Sequence, residues 1–245
     1  MRLLRPDPII IEAPELPETP EDASAVIFLH GLGDDGESFR DFVSQYHNAY
    51  KLPHTKWVLP TAKENRDIMG RAWYLPSRLT ARPAPRPELE DDEDREGIME
   101  SCEYIGTLID SLVSEGIPMG RIAVGGFSQG CAVPLILGLC SKYAGKLAGI
   151  FGLMGYLPLA DQVSEIKQEL APGADIARLP VYICRGTADI LIPSRYHQIC
   201  VGKLRELEIR RIVEREHKTG HTITGIVIHE VGGFLEEVFS HKVDD

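Results

Sequence analysis

The sequence contains no run approaching the roughly 20 consecutive apolar residues of a membrane-spanning helix. It also lacks a basic cluster, a C-x-x-C pair and any internal repeat. The first absence argues against stable membrane insertion. The second bears on partners, because 26 Lys and Arg stand against 37 Asp and Glu, a formal net charge of −11. An acidic surface repels phosphate backbones and anionic lipid, so nucleic acid is not an expected partner. The five cysteines, Cys102, Cys131, Cys140, Cys184 and Cys200, are scattered in or near apolar segments and read as reduced, buried small side chains. His197 lies three residues before Cys200, but no second pair completes a four-ligand metal site, so no metal is expected. The start, MRLLRPDPIII, is too short and proline-broken for a secretory signal. Position 2 is Arg2 rather than the glycine of N-myristoylation, and the KVDD end is no prenylation box. Together these absences describe a cytoplasmic globular protein, with the nucleus also open.

What is present is a pattern of short apolar runs alternating with longer amphipathic ones. That pattern predicts an α/β fold with a mainly parallel central sheet and helices on both faces. Strands are expected at 25–30, 56–60, 121–126, 147–155, 180–186 and 209–214, with an earlier edge strand near PIIIEA. Helices are expected at about 37–49, 97–115, 130–143, 194–207 and 230–240. With 245 residues, 43% of them hydrophobic, the chain can build one sizeable core, and a single domain over 1–245 is expected. Residues 81–97, ARPAPRPELEDDEDREG, read as an exposed Pro-rich acidic loop whose carboxylates suit the positive end of the following helix. Charge runs of this kind are usually solvated surface rather than docking patches. A second loop, 164–179, has room for one short helix.

Two glycine motifs compete for a functional reading. AVIFLHGLGDDGESF carries G-x-G-x-x-G after a strand, the dinucleotide-binding spacing. Such a site wants an acid at the end of the second strand, and KLPHTKWVLP has none. Asp34 and Asp35 would also oppose a pyrophosphate inside the turn. The second motif, RIAVGGFSQGCAVPLILGLC, is an apolar strand, then G-x-S-x-G at Gly126, Ser128 and Gly130, then an apolar helix. That is the context of a nucleophile elbow, whose turn is so tight that the residues two before and two after the serine must be small.

An elbow serine needs an acid and then a histidine, in that chain order. Asp189 lies just beyond the apolar strand VYICRG, whereas the alternative, Asp175, belongs to the irregular 164–179 segment. Of the later histidines, His221 follows Gly220 on a loop before the last helix and fits the base. His217 falls within or just past a strand and His229 near a helix start. His217 and His221 are spaced i, i+4, but Gly220 and the missing H-E-x-x-H argue against zinc. The first glycine loop then becomes the other half of an oxyanion hole, with the Leu32 N–H beside that of Gln129, the residue after the nucleophile. His30 is read as holding that loop, with no part in proton transfer.

VIFLHGLGD, GGFSQG, GYLPL, RGTADILIP and GHT, in that order, resemble the acyl-protein thioesterase family, which also contains carboxylesterases and lysophospholipases. The resemblance covers nearly all of the chain from about residue 24. It implies an α/β-hydrolase fold, Ser128 as nucleophile, Asp189 as orienting acid, His221 as base, Leu32 and Gln129 as oxyanion donors, and no cofactor. It further places Trp73 and Tyr74, in AWYLP, at the substrate-binding wall, although Leu75 stands where the family has aspartate. Cys131 also replaces a frequent glycine, CRGT stands where the family usually reads like CHGD, and residues 160–179 replace a shorter loop. The implied substrates are S-acylated proteins. Small acyl esters or lysophospholipids, turned over by the same residues, are the alternative, and a non-catalytic binding protein is the alternative of another class. The oligomeric state is not read from the sequence.

Overall fold

The run AVIFL becomes a strand buried on both faces, and the rest of the architecture is laid out around it. The computed structural model describes residues 5–66, 68–76 and 93–240. In chain order the strands are β1 (Ile9–Ile11), β2 (Ser24–Leu29), β3 (Thr55–Leu59), β4 (Lys63–Asn65), β5 (Gly70–Ala72), β6 (Ile122–Phe127), β7 (Gly149–Leu153), β8 (Val181–Gly186) and β9 (Ile212–His217). The α-helices are α1 (Arg40–Asn48), α2 (Arg95–Ser114), α3 (Ala132–Cys140), α4 (Val163–Leu170), α5 (Ser194–Glu206) and α6 (Gly225–Ser240). Seven strands form one sheet in the order β1-β3-β2-β6-β7-β8-β9, parallel except for β1 on β3. This is the expected α/β-hydrolase sheet, with helices on both faces.

Side-chain alternation along the strands divides the interior into two cores. Ala25, Ile27, Leu29, Ile122, Val124, Ile150 and Val181 face α2 to α5, where Ile98, Ile105, Leu135, Val163 and Leu204 are buried. Val26, Phe28, Trp57, Ala123, Phe151 and Tyr182 face α1 and α6, packing on Phe42, Tyr46, Val231 and Phe234. Phe28 stacks on both Phe42 and Phe151, with ring centroids 4.7 and 5.7 Å apart. The strand order reverses beside β2. From β2 the chain crosses by α1 to β3 on one side, then returns by α2 on the opposite face to β6 on the other side. At such a switch point the two loops leaving the carboxyl ends diverge and open a crevice. Those loops are 30–34 and the turn at Ser128.

Several expectations are corrected. The sequence pattern does not show the antiparallel pair β4–β5, because KEN and GRA are too short and polar for alternation. β9 begins three residues later than expected. Residues 209–211 are still closing onto α5 and β8, with the Arg210 N–H donating to Ala177 O and Arg211 O accepting from Val181 N–H. α6 starts at Gly225 rather than 230, so His229 lies inside the helix. α2 starts at Arg95, with Asp94 as its cap accepting from the Gly97 N–H at 2.9 Å. Of the acidic loop expected at 81–97, residues 81–92 lie outside the described residues.

The core assignment predicts that Leu135→Ala, at a fully buried site, costs about 2–5 kcal/mol in urea unfolding. Leu16→Ala, at a residue 92% exposed, should stay within about 0.5 kcal/mol. Similar losses at both sites would contradict the assignment.

Candidate active site

β6 ends at Phe127, and the next residue, Ser128, has φ +54°. A non-glycine residue in the left-handed region is strained, and the strain persists only where the surroundings impose it. Here they do so by crowding. A Cβ on Gly126 would lie 2.1 Å from Gly130 O, and a Cβ on Gly130 would lie 2.4 Å from His30 O. Both glycines of G-x-S-x-G are therefore fixed by contact, and the turn between them lifts the Ser128 hydroxyl off the end of the sheet.

The other two residues reach the serine through the β8–β9 pair. Their register ends at Gly186 and His217, but the pairing continues into the loops. The Thr187 N–H donates to His217 O at 2.8 Å and the Ala188 N–H to Thr219 O at 3.0 Å. This zipper brings residues 189 and 221 together. The Asp189 side chain is 1% exposed, and its Oδ1 accepts from the N–H groups of Leu191 (2.9 Å) and Ile192 (3.0 Å). Oδ2 lies 2.7 Å from His221 Nδ1, and His221 Nε2 lies 2.8 Å from Ser128 Oγ. A carboxylate only accepts, so Nδ1 carries the proton and Nε2 presents its lone pair to the serine hydroxyl. The two amide donors keep the buried carboxylate in place, which fixes the plane of the imidazole.

The other candidates lie apart from this line. Asp175 caps its own turn, accepting from the Ala177 N–H at 3.0 Å. His217 ends β9, with Nε2 3.3 Å from Glu230 Oε2. His229 borders a separate hollow with Gln45 and Gly232 between α1 and α6.

Facing the serine is a cleft of about 350 Å³, bordered by Leu32, Asp34, Tyr74, Phe127, Gln129, Tyr156, Leu191 and Ile192 among others. A larger hollow of about 520 Å³ lies around Cys102 and Cys140 between α2 and α4, but Ser128, Asp189 and His221 do not border it. Gly31 abuts the elbow, since a Cβ there would stand 3.4 Å from Ser128 Cβ. Asp34 belongs to the turn of this loop, where its Oδ1 accepts from the Asp35 N–H at 3.1 Å. His30 is fully buried, donating from Nδ1 to Gly31 O at 2.7 Å and accepting at Nε2 from the Ala62 N–H at 3.0 Å. Burial lowers its pKa, so it stays neutral in that tautomer and holds the loop.

The two wall residues part company. Tyr74 borders the cleft, and its hydroxyl is hydrogen-bonded to that of Tyr156. Burial pushes the Tyr74 phenol well above its ordinary pKa, so it remains protonated. Trp73 is corrected: it does not border the cleft, and its indole N–H points away to His30 O at 2.8 Å. Tyr156, Leu191 and Ile192 also border the cleft. The motifs GYLPL and RGTADILIP contain them, but nothing in either run marks which side chain turns inward.

The Phospholipase/Carboxylesterase family model matches residues 9–239. Acyl-protein thioesterase 1 of Yarrowia lipolytica is 33% identical over 187 residues, covering 76% of this chain and 78% of that protein. Acyl-protein thioesterase 1 of Schizosaccharomyces pombe is 35% identical over 176 residues, 70% of each chain. The crystal structure of Zea mays acyl-protein thioesterase 2 superposes with a TM-score of 0.72 at 24% identity, covering 95% of this chain and 98% of that one. At that identity the likeness shows the fold.

Two imidazoles near the sheet, His30 and His197, have pKa values lowered by burial from the ordinary 6.5. A lowered folded-state pKa means that the unfolded chain binds more protons below 6.5. Their contribution to stability is present above that pH and is lost progressively as pH falls from there toward the lowered folded-state values. The urea midpoint should drop between about pH 7.5 and about pH 5.5; a constant or rising midpoint would contradict neutral imidazoles.

Proposed function

The chain belongs to the phospholipase/carboxylesterase family and is a serine hydrolase; from that premise we propose that it removes long-chain acyl groups from protein cysteines through an acyl-serine intermediate. The observation that carries the chemistry is the unbroken line from Asp189 to His221 to Ser128. In the first step Ser128 Oγ attacks the thioester carbonyl while His221 Nε2 takes the hydroxyl proton. Asp189 stabilises the imidazolium without itself being protonated. The N–H groups of Leu32 and Gln129 receive the negative charge that develops on the carbonyl oxygen. Each such donor is worth roughly 3–4 kcal/mol to the transition state. The tetrahedral intermediate collapses, His221 returns the proton to the leaving sulfur, and the thiol departs. Water, activated by the same imidazole, then hydrolyses the acyl-serine.

The substrate class rests on the relatives named acyl-protein thioesterase and on the lining of the cleft. Leu32, Tyr74, Phe127, Leu191 and Ile192 offer apolar surface to an acyl chain, and Leu32 and Leu191 are 46% and 60% exposed at its mouth. Burying a methylene contributes about 0.8 kcal/mol, or roughly a fourfold gain in kcat/KM for each one that the lining covers. No metal or organic cofactor enters these steps. A reducing, cytoplasmic setting suits five buried free cysteines. Among the described residues no helix is long and apolar enough to cross a membrane.

A ladder of acyl thioesters from acetyl to palmitoyl, with matched oxygen esters and Ser128→Ala as blank, tests this reading. Thiol release should climb with chain length and favour sulfur. Preference for short oxygen esters would turn the reading to a carboxylesterase, and no Ser128-dependent turnover by folded protein would turn it to a binding protein. Asp189→Asn should lower kcat by roughly 10⁴ without unfolding the chain, because the wrong histidine tautomer then faces the serine. Circular dichroism and kcat measured on one preparation check this, and near-normal turnover would remove Asp189 from the mechanism.

A further inference from the structure

Trp73 is 2% exposed, and its three polar atoms each bond a different segment. The indole Nε1–H donates to His30 O at 2.8 Å, and the backbone N–H donates to Gln129 Oε1 at 3.0 Å. The backbone carbonyl accepts from Ser101 Oγ on α2. The same Gln129 amide turns its nitrogen to Tyr74 O at 2.9 Å, so it grips the 73–74 backbone with both atoms. His30 is two residues before Leu32, and Gln129 follows the serine. Trp73 therefore ties together the two segments that carry the Leu32 and Gln129 amides.

The sheet does not set their spacing at this point. The β2–β6 register runs as far as Leu29 and Gly126; Phe127 is still paired with Leu153 of β7, and the residues that follow Leu29 and Phe127 leave the sheet. On the loop side, His30 is anchored to Gly31 O and Ala62 N–H, and its ring lies 5.0 Å from that of Trp73. Behind Trp73, the Arg5 guanidinium sits 5.9 Å from the indole and 4.4 Å from the Tyr104 ring. Oxyanion donors act only within a narrow range of distance from the developing charge, and a shift of about 1 Å can cost 10²-fold in rate.

We propose that Trp73 is a positioning residue, a bracket that uses its indole N–H and the Gln129 side-chain amide to hold the two oxyanion-donating segments at working separation. This rests on the reading of the Leu32 and Gln129 N–H groups as the oxyanion donors. Trp73 does not border the cleft; it acts through His30 and Gln129. The arrangement gives the Gln129 side chain a task separate from that of its backbone.

Two variants test the bracket independently. Trp73→Phe keeps an aromatic ring and removes the indole donor. Gln129→Met keeps side-chain length and the backbone N–H but removes both hydrogen bonds of the side-chain amide. Each should lower kcat about 10-fold or more, with KM changed less than about twofold. A trifluoromethyl ketone, which forms a tetrahedral oxyanion on the serine, should lose affinity by the same factor as kcat/KM. A thioether analogue without a carbonyl should bind as before. Gln129→Met leaves the indole in place and keeps the test open if Trp73→Phe does not fold. Wild-type kcat and ketone affinity in a folded variant, or a change in KM alone, would overturn the bracket. Leu32→Pro, which deletes one donor, separates the two levels. A wild-type rate there overturns the oxyanion reading and the bracket with it, whereas a loss there beside wild-type rates in the other two overturns the bracket alone.

Discussion

The lack of space between Gly126 and Gly130 is the constraint on which the rest of this structure depends. With a would-be Cβ only 2.1 Å from the Gly130 carbonyl, strand and helix are joined by a turn that leaves Ser128 at φ +54°. Gly130 in turn lies against the carbonyls of Leu29 and His30. The contact that shapes the elbow thus also seats it against the loop leaving β2. The reversal of strand order beside β2 opens the crevice between those two segments. Within it the serine hydroxyl, the Gln129 backbone and residues 30–34 converge.

Charge is placed within this frame by cancelling burial penalties one at a time. Asp189 is buried, and an unpaired buried carboxylate would be costly. Two backbone amides and an imidazole N–H satisfy it. His30, equally buried, is kept neutral and accepts the Ala62 N–H, so it holds a loop where a cation would strain it. Two histidines close to one cleft are therefore held differently, because one faces a carboxylate and the other a backbone amide. The phenol of Tyr74 stays protonated for the same reason that His30 stays neutral, and the cleft wall carries no charge there.

Much of this was legible in the sequence, and the boundary of legibility is physical. The parallel strands were readable because both sheet faces are covered, so AVIFL and IAVGG had to be continuously apolar. Ser128 was readable because a steric law ties small residues to fixed offsets around it. Asp189 and His221 followed from chain order and from their places after strands. The β4–β5 pair was hidden because three-residue polar strands leave no periodic trace. The late start of β9 was hidden by IRRIVE, whose first residues have strand-like composition but close a turn. Trp73 and Tyr74 are neighbours, and neighbours leaving a strand turn to opposite sides. Which one meets the cleft depends on where β5 ends, and the sequence does not mark that. The side-chain bonds of Gln129 left no trace either, because its partners are backbone atoms 55 and 56 residues away.

The central claim is that Ser128, activated by His221, accepts the acyl group. Peptide mapping by mass spectrometry after brief exposure of the protein to a fluorophosphonate tests it most directly, with His221→Ala treated in parallel. The account predicts a single phosphonate adduct on Ser128 in the wild-type chain and its near-complete loss in His221→Ala. An adduct on another serine or on a cysteine, or equal labelling of Ser128 in both proteins, would contradict it.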